Sequence, residues 1–260
     1  MKKVALITGA STGIGKELAV IHAQTGGDLI IIARSHDKLV TLKNEIEAKF
    51  RVSVVVMATD LTLPEAPKQI FEKVEKLGIT IDFLINNAGF GGLGKFYERP
   101  WEKDLAIINL NIVALTALTR FFLPGFVKRN RGRILNVSST ASLMPGPLQA
   151  VYFASKAYVT SFSNALAEEL YDTKVTVTAL MPGATDTEFG RVSGMDKTEM
   201  FNKVAGAHQV AEDGYKGMLK GKLDVVTGLP FMQRVMLAMV PVSPKKLVLK
   251  QIRTMQEVKK

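Results

Sequence analysis

The sequence predicts a single α/β domain with a doubly wound parallel sheet of about seven strands and helices on both faces. The first observation is that short apolar segments alternate along the chain with longer segments of helical periodicity. Such alternation produces a parallel sheet that is covered on both faces. The second observation is a glycine-rich turn directly between the first predicted strand and the first predicted helix. The third is size, because 260 residues that are 47% hydrophobic and 22% charged are enough for one large domain.

The predicted elements follow from hydrophobic periodicity along the chain. The strands are expected at 3–8, 28–33, 53–58, 82–86, 132–138, 174–180 and 223–227. The helices are expected at 13–25, 36–50, 64–77, 101–129, 150–171 and 207–219. Thr62 caps the third helix and Pro64 occupies its first turn in this prediction. We assign 1–229 to one cofactor-binding and catalytic domain with a substrate loop at about 184–205, and 230–260 to a basic amphipathic extension of it.

A glycine-rich turn follows the first predicted strand and opens the first helix. Glycines let the backbone turn sharply and approach a pyrophosphate, and the helix N-terminus offers N–H groups and a positive dipole end. Strand, turn and helix in this order predict a dinucleotide site. The turn residues that we expect to bind the cofactor are Gly9, Ser11, Thr12, Gly13, Ile14 and Gly15.

A second pattern, Tyr152 with Lys156 four residues later and Ser139 thirteen residues before the tyrosine, indicates acid–base chemistry. Residues four apart share one face of a helix. A neighbouring ammonium favours the phenolate and is expected to lower the tyrosine pKa from its ordinary value of about 10. Ser139 supplies a hydroxyl for a substrate oxygen. The alternative for Tyr152 and Lys156 by themselves is an ordinary surface pair.

In combination these motifs resemble the short-chain dehydrogenase/reductase family, in its short single-domain branch, over about residues 3–190. The glycine spacing is Thr-Gly-x-x-x-Gly-x-Gly, and Asn86-Asn87-Ala88-Gly89 is similar to a family element after the fourth strand. The resemblance implies a Rossmann-type fold and further residues in the site. The implied cofactor-binding residues are Asp60, Leu61, Asn87, Ala88, Gly89, Tyr152, Lys156, Pro182, Gly183, Thr185 and Thr187, and the implied catalytic residues are Asn111, Ser139, Tyr152 and Lys156.

The resemblance also implies a reaction, a hydride transfer between a nicotinamide cofactor and a carbonyl or secondary alcohol. Tyr152 protonates the developing alkoxide, and Ser139 hydrogen-bonds the same oxygen. Lys156 is implied to lower the tyrosine pKa and to hold the nicotinamide ribose. Asn111 is implied to orient a water that connects Lys156 with solvent. Ser138 is a competing serine, but the thirteen-residue gap to Tyr152 favours Ser139.

Arg34 predicts the choice of cofactor. NAD sites place a carboxylate at the end of the second strand, whereas an arginine there accommodates a 2′-phosphate. Ala33 occupies the position of that carboxylate, and Arg34 follows it. We therefore predict NADP(H) in preference to NAD(H). His36 and Lys38 add positive charge nearby, although both are also ordinary residues for the start of a helix.

Three segments are expected to meet the substrate: 90–96, 143–148 and 184–205. They carry Phe90, Leu93, Phe96, Leu143, Met144, Phe189, Met195, Met200 and Phe201. Apolar residues rich in methionine suit an adaptable apolar site, and they suit equally a lid that packs on its own domain. Together with the resemblance, they make a lipophilic ketone or alcohol the expected small-molecule substrate.

The C-terminal segment carries most of the positive charge of the chain. Residues 216–260 hold ten Lys or Arg and two Asp or Glu, a balance of +8, and the whole chain is +10. Ser243 and Pro244 begin a helix with Val248, Ile252 and Met255 on one side. A basic amphipathic helix lies on an anionic membrane surface or covers a partner. The equal alternative is a helix that packs on the domain or across a subunit interface.

Other properties narrow the function classes. The chain has no cysteine, and its three histidines lack metal-ligand spacing, so we expect no disulfide and no metal. A strand at residue 3 leaves no room for a signal peptide, and no uninterrupted apolar run reaches 18 residues, so we expect a cytoplasmic protein, peripheral on a membrane at most. The positive charge lacks a nucleic-acid motif. The resemblance favours a homodimer or homotetramer built on the helices that flank the fifth strand.

Three alternatives to an NADP-dependent oxidoreductase remain open. The first is a catalytically silent NADP-binding sensor or scaffold, which would usually lack the tyrosine or the lysine. The second is a peripheral membrane or partner-binding protein that acts through its basic tail. The third is a sugar-nucleotide epimerase of a longer related branch, which the glycine spacing and the length of the chain disfavour.

Overall fold

A computed structural model describes residues 2–201 and 204–257 of the chain. Its strands are β1 (Val4–Thr8), β2 (Asp28–Ala33), β3 (Val54–Ala58), β4 (Phe83–Asn86), β5 (Gly132–Val137), β6 (Val175–Pro182), β7 (Thr185–Asp186), β8 (Ala205–Gly206) and β9 (Asp224–Thr227). Its helices are α1 (Gly13–Gln24), α2 (His36–Lys49), α3 (Ala66–Lys76), α4 (Trp101–Ile108), α5 (Leu115–Lys128), α6 (Ala150–Glu169), α7 (Glu188–Ser193), α8 (Ala207–Leu219), α9 (Phe231–Met239) and α10 (Lys245–Gln256). All seven predicted strands are present to within two residues at each end.

Seven of these strands form one parallel sheet in the described part of the chain, in the order β3-β2-β1-β4-β5-β6-β9. Ala5 of β1 pairs with Leu29 of β2 on one side and with Phe83 of β4 on the other. The chain order therefore reverses between β1 and β4. In such sheets the ligand crevice lies at that reversal, beyond the carboxyl ends of the strands.

Helices cover both faces of the sheet, which confirms the predicted Rossmann-type fold. One apolar core joins the sheet to α1, α2 and α8 through residues such as Leu18, Leu39 and Met218. A second core on the opposite face joins it to α3, α5 and α6 and includes Ile70 and Phe126. Burial on both faces explains why the central strands are apolar without alternation.

The third helix begins later than predicted. Asp60 accepts hydrogen bonds from the Thr62 amide at 2.9 Å and from the Thr62 hydroxyl at 2.8 Å. These bonds close a turn, so Thr62 is not the cap and Pro64 lies ahead of the helix. The helix starts at Ala66, with Pro67 in its first turn. Proline fits there because the first turn has no intrahelical acceptor for its missing N–H.

The fourth predicted helix, 101–129, is not one regular helix. A π-helical segment, Asn109–Ala114, separates α4 from α5 and contains the buried Asn111. π-Helical segments are rare in proteins, and those that occur are often found at functional sites. Among the described residues, the run Trp101–Lys128 is long and apolar enough to cross a membrane. The search of the sequence for 18 uninterrupted apolar residues did not detect this run. Core helices share these properties, and the run packs against α3, α6 and the sheet.

The C-terminal segment forms two helices with different surroundings. The apolar side of α10 faces inward, where Ile252 and Val248 pack against Tyr152 and Phe153. The amphipathic pattern of this helix is therefore explained by packing on the rest of the chain. In contrast, none of the side chains of α9 is buried. The division of the chain at residue 230 stays a prediction.

Candidate active site

The glycine loop between β1 and α1 lies in close contact with two other segments. Gly9 (φ +66°) and Gly13 (φ +55°) adopt left-handed backbone conformations, which side chains disfavour. A Cβ at Gly9 would lie 2.8 Å from the Ala88 Cα, and a Cβ at Gly13 would lie 2.8 Å from the Thr187 Cγ2. Glycine is therefore required at both positions by backbone conformation and by the available space.

Thr8, the last residue of β1, holds this loop against the segment that follows β4. Its hydroxyl accepts hydrogen bonds from the Asn87 and Ala88 amides, both at 3.0 Å. The Asn87 side-chain amide donates in return to Thr8 O at 2.9 Å and to Gly9 O at 3.1 Å. These four bonds fix the two predicted cofactor segments at the reversal of strand order.

The N-terminus of α1 presents unpaired amides to the cleft. Lys16 is the first residue of the helix whose amide has a backbone acceptor, Thr12 O at 3.3 Å. Among the described residues, the N–H groups of Gly13, Ile14 and Gly15 have no acceptor. Unpaired amides together with the positive end of the helix dipole form a site for an anion such as a pyrophosphate.

Basic residues lie around the part of the cleft that follows β2. Arg34 lines the cleft, is exposed, and has no acidic partner within the described ranges 2–201 and 204–257. Lys38 also lines the cleft, but its ammonium lies 2.9 Å from a carboxylate oxygen of Glu188 in α7. Hydrogen bonding to Lys38 holds the pKa of the Glu188 carboxyl below its ordinary value. Arg34 is thus the cation available for a phosphate, while Lys38 joins α2 to α7.

The segments after β3 and β6 supply the other predicted cofactor residues. Asp60 and Leu61 line the cleft beside Thr62, in the turn that delays α3. After β6, the Thr185 hydroxyl donates to Gly183 O at 2.9 Å. Both segments follow carboxyl ends of strands, as the sequence predicts.

Tyr152, Ser139 and Lys156 all line one cleft at the carboxyl edge of the sheet. Ser139 lies close enough to the Tyr152 phenol to act on its pKa, and its own hydroxyl donates to Pro182 O at 3.5 Å. The Lys156 ammonium lies 5.9 Å from the centre of the tyrosine ring. Ser138 points elsewhere, since its hydroxyl donates to Lys156 O at 2.9 Å and lies 2.7 Å from the Thr160 hydroxyl. The geometry therefore places Ser139, and not Ser138, beside the tyrosine.

Burial controls the protonation states of Tyr152 and Lys156. Tyr152 is 8% exposed, and its burial raises the pKa to about 12, although Ser139 acts in the opposite direction. Lys156 is 5% exposed, and its burial lowers the pKa to about 8. Its ammonium donates to Val137 O at 2.8 Å. The predicted lowering of the tyrosine pKa is therefore wrong for this geometry, because loss of hydration outweighs the opposing effect of Ser139.

Asn111 lies behind the cleft rather than on its surface. Its side-chain amide donates to Phe90 O at 3.1 Å and to the Ser155 hydroxyl at 3.0 Å, and its oxygen accepts from the Phe90 amide at 3.2 Å. A Cβ at Gly89 would lie 3.1 Å from the Asn111 oxygen and 3.2 Å from the Lys156 ammonium. Gly89 therefore lies between the Asn111 side-chain oxygen and the Lys156 ammonium.

A single cleft of about 340 Å³ joins these features. Of the predicted site residues, Gly15 and Asn111 do not line it, and the others do. Gly15 instead packs against Gly9 and Asn87. The glycine cradle, the unpaired amides of α1 and the available Arg34 fit a phosphorylated dinucleotide, which these residues would hold along the carboxyl edge of the sheet.

The substrate end of the cleft is apolar. Five of the residues expected there line it: Phe90, Met144, Phe189, Met195 and Phe201. Leu93, Phe96 and Leu143 lie outside the cleft lining, and the side chain of Met200 lies outside the described part of the structure. Tyr152 and Phe189 are in contact, with ring centres 5.3 Å apart, so the predicted substrate loop reaches the tyrosine.

Some residues of the site were not predicted from the sequence. Gln149, three residues before Tyr152, lines the cleft and donates to the Gln256 side-chain oxygen of α10 at 2.9 Å. The loop after Gly89 is held by Arg99, which pairs with the buried Asp104 at 2.8 Å and donates to Leu93 O at 3.1 Å. The position of Gln149 next to the tyrosine motif was a usable signal. The other contacts join distant parts of the chain and leave no local pattern.

Sheets of this strand order with a glycine loop after β1 define a class of dinucleotide-binding proteins. Within that class, the chain belongs to the short-chain dehydrogenase family of oxidoreductases. The family profile, described as short chain dehydrogenase, matches residues 3–197, which is more than half of the chain.

Named relatives differ in substrate. A very-long-chain 3-oxoacyl-CoA reductase of Mus musculus is 36% identical over 200 residues, which cover 72% of this chain and 61% of that protein. The chain thus spans less than two thirds of the length of this relative. An NADP-dependent 3-hydroxy acid dehydrogenase of Schizosaccharomyces pombe is 35% identical over 192 residues, which cover 73% of this chain and 74% of that protein.

A solved structure of a short-chain dehydrogenase from Sphingobium yanoikuyae in complex with NADPH has a similar fold. Its TM-score is 0.83 with 30% sequence identity, and the match covers 98% of both chains. The match therefore extends beyond residue 197, into the part of this chain that the family profile does not cover.

Proposed function

We propose that this protein transfers a hydride between NADP(H) and a lipophilic carbonyl or secondary alcohol, with Tyr152 as the acid–base group. The observation that carries the proposal is the meeting of Tyr152, Ser139 and Lys156 at one end of a cleft whose other end has a glycine cradle. The alternative of a silent sensor is disfavoured because both the tyrosine and the lysine are present and buried beside the cleft.

The reaction follows from the positions of the side chains. When held by the glycine loop and Arg34, NADPH would supply a hydride for the carbonyl carbon. Ser139 donates to the carbonyl oxygen, where negative charge develops. Tyr152 transfers its proton to the same oxygen, and its raised pKa keeps that proton in place until an alkoxide forms nearby. Lys156 holds the ribose side of the site, and Asn111 orients a water that returns a proton towards Lys156.

The expected preference for NADP(H) rests on Arg34. An exposed guanidinium without a protein partner binds a 2′-phosphate by charge-assisted hydrogen bonds. The NADP-dependent relative and the NADPH complex described above support this preference. Lys38 is a second basic residue at the cleft, and its ion pair with Glu188 leaves Arg34 as the main determinant.

The cofactor preference is tested with Arg34→Ala. We expect the Kd for NADPH to rise about tenfold to hundredfold and the Kd for NADH to stay unchanged, because one charge-assisted contact to the 2′-phosphate is lost. Arg51→Ala, which removes an exposed arginine outside the cleft, is the matched control and should alter neither value. An unchanged ratio of the two Kd values in Arg34→Ala would show that Arg34 does not select the cofactor.

The proposed substrate class is lipophilic, and 3-oxoacyl thioesters and long-chain ketones are its first candidates. The aromatic and methionine side chains at the substrate end support this class, as does the similarity to a 3-oxoacyl-CoA reductase. NADPH oxidation should be fastest with 3-oxoacyl thioesters and long-chain ketones, and slower with short polar aldehydes. Equal rates across chain lengths would contradict the assignment of the apolar end.

We also propose a homodimer or homotetramer through the outer faces of α5 and α6. Val113, two residues before α5, is 44% exposed, and the hydroxyl of the exposed Tyr158 of α6 lies 2.9 Å from the Thr116 hydroxyl of α5. Sedimentation analysis of the purified chain measures its oligomeric state. Cytoplasmic location likewise stays a prediction.

A further inference from the structure

Helix α9 has an apolar surface that the rest of the described chain does not cover. Its residues Phe231, Met232 and Met239 are 76%, 67% and 55% exposed, and Val235 and Met236 are exposed as well. Single exposed apolar side chains are ordinary on a protein surface, but a contiguous group marks an interaction site. This group occupies one helix of nine residues without a buried side chain.

The five residues lie on one side of the helix. At 100° per residue they span an arc of about 140°. Leu237, the half-buried residue of α9, lies on the opposite side of the helix by the same count. The helix therefore turns its Leu237 side towards the protein and its larger apolar side outwards, which is the reverse of an ordinary surface helix.

Unpaired positive charge lies next to this surface in the chain. Arg234 belongs to α9 itself, and Lys245, Lys246 and Lys250 follow in α10. None of these four has an acidic partner among residues 2–201 and 204–257. Val242 and Leu247, which are also exposed, continue the apolar surface between the two helices.

Apolar side chains bordered by unpaired cations match the chemistry of an anionic bilayer surface. Apolar groups enter the boundary between headgroups and acyl chains, and each nearby cation is attracted to the anionic lipids. A second copy of the chain fits less well, because two segments of +8 on chains of +10 would repel each other. The charge therefore favours lipid over self-association.

The surface is connected to the cleft at both ends. Immediately before α9, Leu229 packs against the cofactor segment, since a Cβ at Gly183 would lie 2.5 Å from Leu229 Cδ2. After α9, Ile252 of α10 packs in the same cluster as Tyr152. Docking of α9 would therefore hold the substrate end of the cleft close to the lipid surface.

We propose that α9, with Val242 and the outer lysines of α10, is a docking surface for an anionic lipid bilayer. The sequence pattern left two equal alternatives for the apolar side of α10, a membrane surface or packing on the rest of the chain. The structure buries that side, and the exposed apolar side belongs to α9. The proposal concerns binding and is independent of the identity of the substrate.

Flotation of the 260-residue chain with vesicles tests the proposal. We expect binding to vesicles of phosphatidylcholine mixed with phosphatidylserine, and weak binding to phosphatidylcholine alone. Met232→Gln combined with Met236→Gln should lower the partition coefficient about tenfold, because less apolar surface enters the bilayer. Lys246→Gln combined with Lys250→Gln should lower it about thirtyfold at low salt and less at high salt.

The matched control changes two exposed apolar residues that follow helix C-termini, Leu77 after α3 and Tyr171 after α6, both at the sheet edge away from the cleft. Leu77→Gln combined with Tyr171→Gln should keep the partition coefficient of the unmodified protein. Absent binding to anionic vesicles, or equal binding of all variants, would overturn the proposal. If the unmodified protein does not bind vesicles, and the combined Met232→Gln and Met236→Gln variant sediments at a lower mass than the unmodified protein, α9 is a surface for self-association. That result would also overturn the proposal. NADPH oxidation with a water-soluble ketone, measured on the same samples, reports separately on the proposed enzyme activity.

Discussion

Two buried residues, Tyr152 and Lys156, have pKa values shifted in opposite directions. Each shift favours the uncharged form, because burial removes the hydration of the charge. The change for Lys156, from 10.5 to about 8, corresponds to about 3 kcal/mol of unfavourable free energy for the ammonium. A stability cost of this kind is common at functional sites, where a protonation state near neutral pH has a chemical use.

The pKa of Lys156 predicts the pH dependence of carbonyl reduction. The value of kcat/KM reports the free enzyme, in which Lys156 is charged below about pH 8 and neutral above it. Tyr152 keeps its proton over the same range, since its pKa is about 12. We expect kcat/KM for reduction to be constant at lower pH and to fall as the pH rises through about 8.

Lys156→Arg is the matched variant for this profile, because arginine keeps its charge across the range. The residual activity of Lys156→Arg should not fall near pH 8. A wild-type profile that stays flat to about pH 10 would show that the protonation of Lys156 does not control the reaction.

At the scale of elements, the link between β1 and β4 shapes the cofactor end of the cleft. The Thr8 hydroxyl accepts hydrogen bonds from the backbone amides of Asn87 and Ala88 across this link. Thr8→Val keeps the shape of the side chain and leaves the amides of Asn87 and Ala88 without that acceptor. We expect a loss of about 1–3 kcal/mol in the free energy of unfolding and a higher Kd for NADPH.

Chemical denaturation and cofactor titration measure these two effects of Thr8→Val. Thr8→Ser should restore both, since the hydroxyl returns. Thr41→Val is the surface control, because Thr41 is exposed on α2 and its hydroxyl donates within its own helix, to Asp37 O, and we expect a change within about 0.5 kcal/mol. Equal effects of the Thr8 and Thr41 substitutions would contradict the role of the link.

The positions of helices and strands were easier to predict from the sequence than the contacts between them. The strands and the glycine turn were predictable because apolar periodicity and glycine spacing are local. The π-helical segment at Asn111 was not, since its residues are compatible with an ordinary helix. The pattern of α10 identified its apolar side but not the surface that it meets. Likewise, Lys38 and Glu188 are 150 residues apart, so no local pattern indicates their pairing.

At the scale of the whole molecule, His22 connects several elements on one face of the sheet. Its ring nitrogens lie 2.8 Å from the Tyr215 hydroxyl of α8 and 3.2 Å from Lys3 O, and its ring packs edge-on against Phe83 of β4. His22 is 1% exposed, and burial lowers its pKa despite the opposing effects of nearby backbone hydrogen bonds and Asp28. The folded protein therefore holds this histidine neutral under mildly acidic conditions.

A lowered histidine pKa predicts a loss of stability on acidification. The unfolded chain takes up a proton at His22 below about pH 6.5, while the folded chain does not, so stability falls as the pH falls through this value. Between about pH 7.5 and 5.5, we expect the free energy of unfolding to decrease and His22 to account for part of the decrease.

Denaturant titrations at both pH values measure the contribution of His22. His22→Asn should show a smaller decrease than the wild type, even though it is less stable overall. His36→Asn, at an exposed histidine, is the control and should keep the wild-type decrease. The same pH dependence in His22→Asn as in the wild type would rule out His22 as its source.

The account as a whole depends on Tyr152 as the proton donor for hydride transfer. The most direct measurement compares the rate of NADPH oxidation with a 3-oxoacyl thioester in the wild type, Tyr152→Phe and the control Tyr171→Phe, an exposed tyrosine outside the cleft, with NADPH affinity measured on each. We predict that Tyr152→Phe loses about 10²–10⁴-fold in rate while NADPH affinity is retained, and that Tyr171→Phe keeps the wild-type rate. A rate in Tyr152→Phe within about tenfold of the wild type would contradict the account, since general acid catalysis contributes more than that.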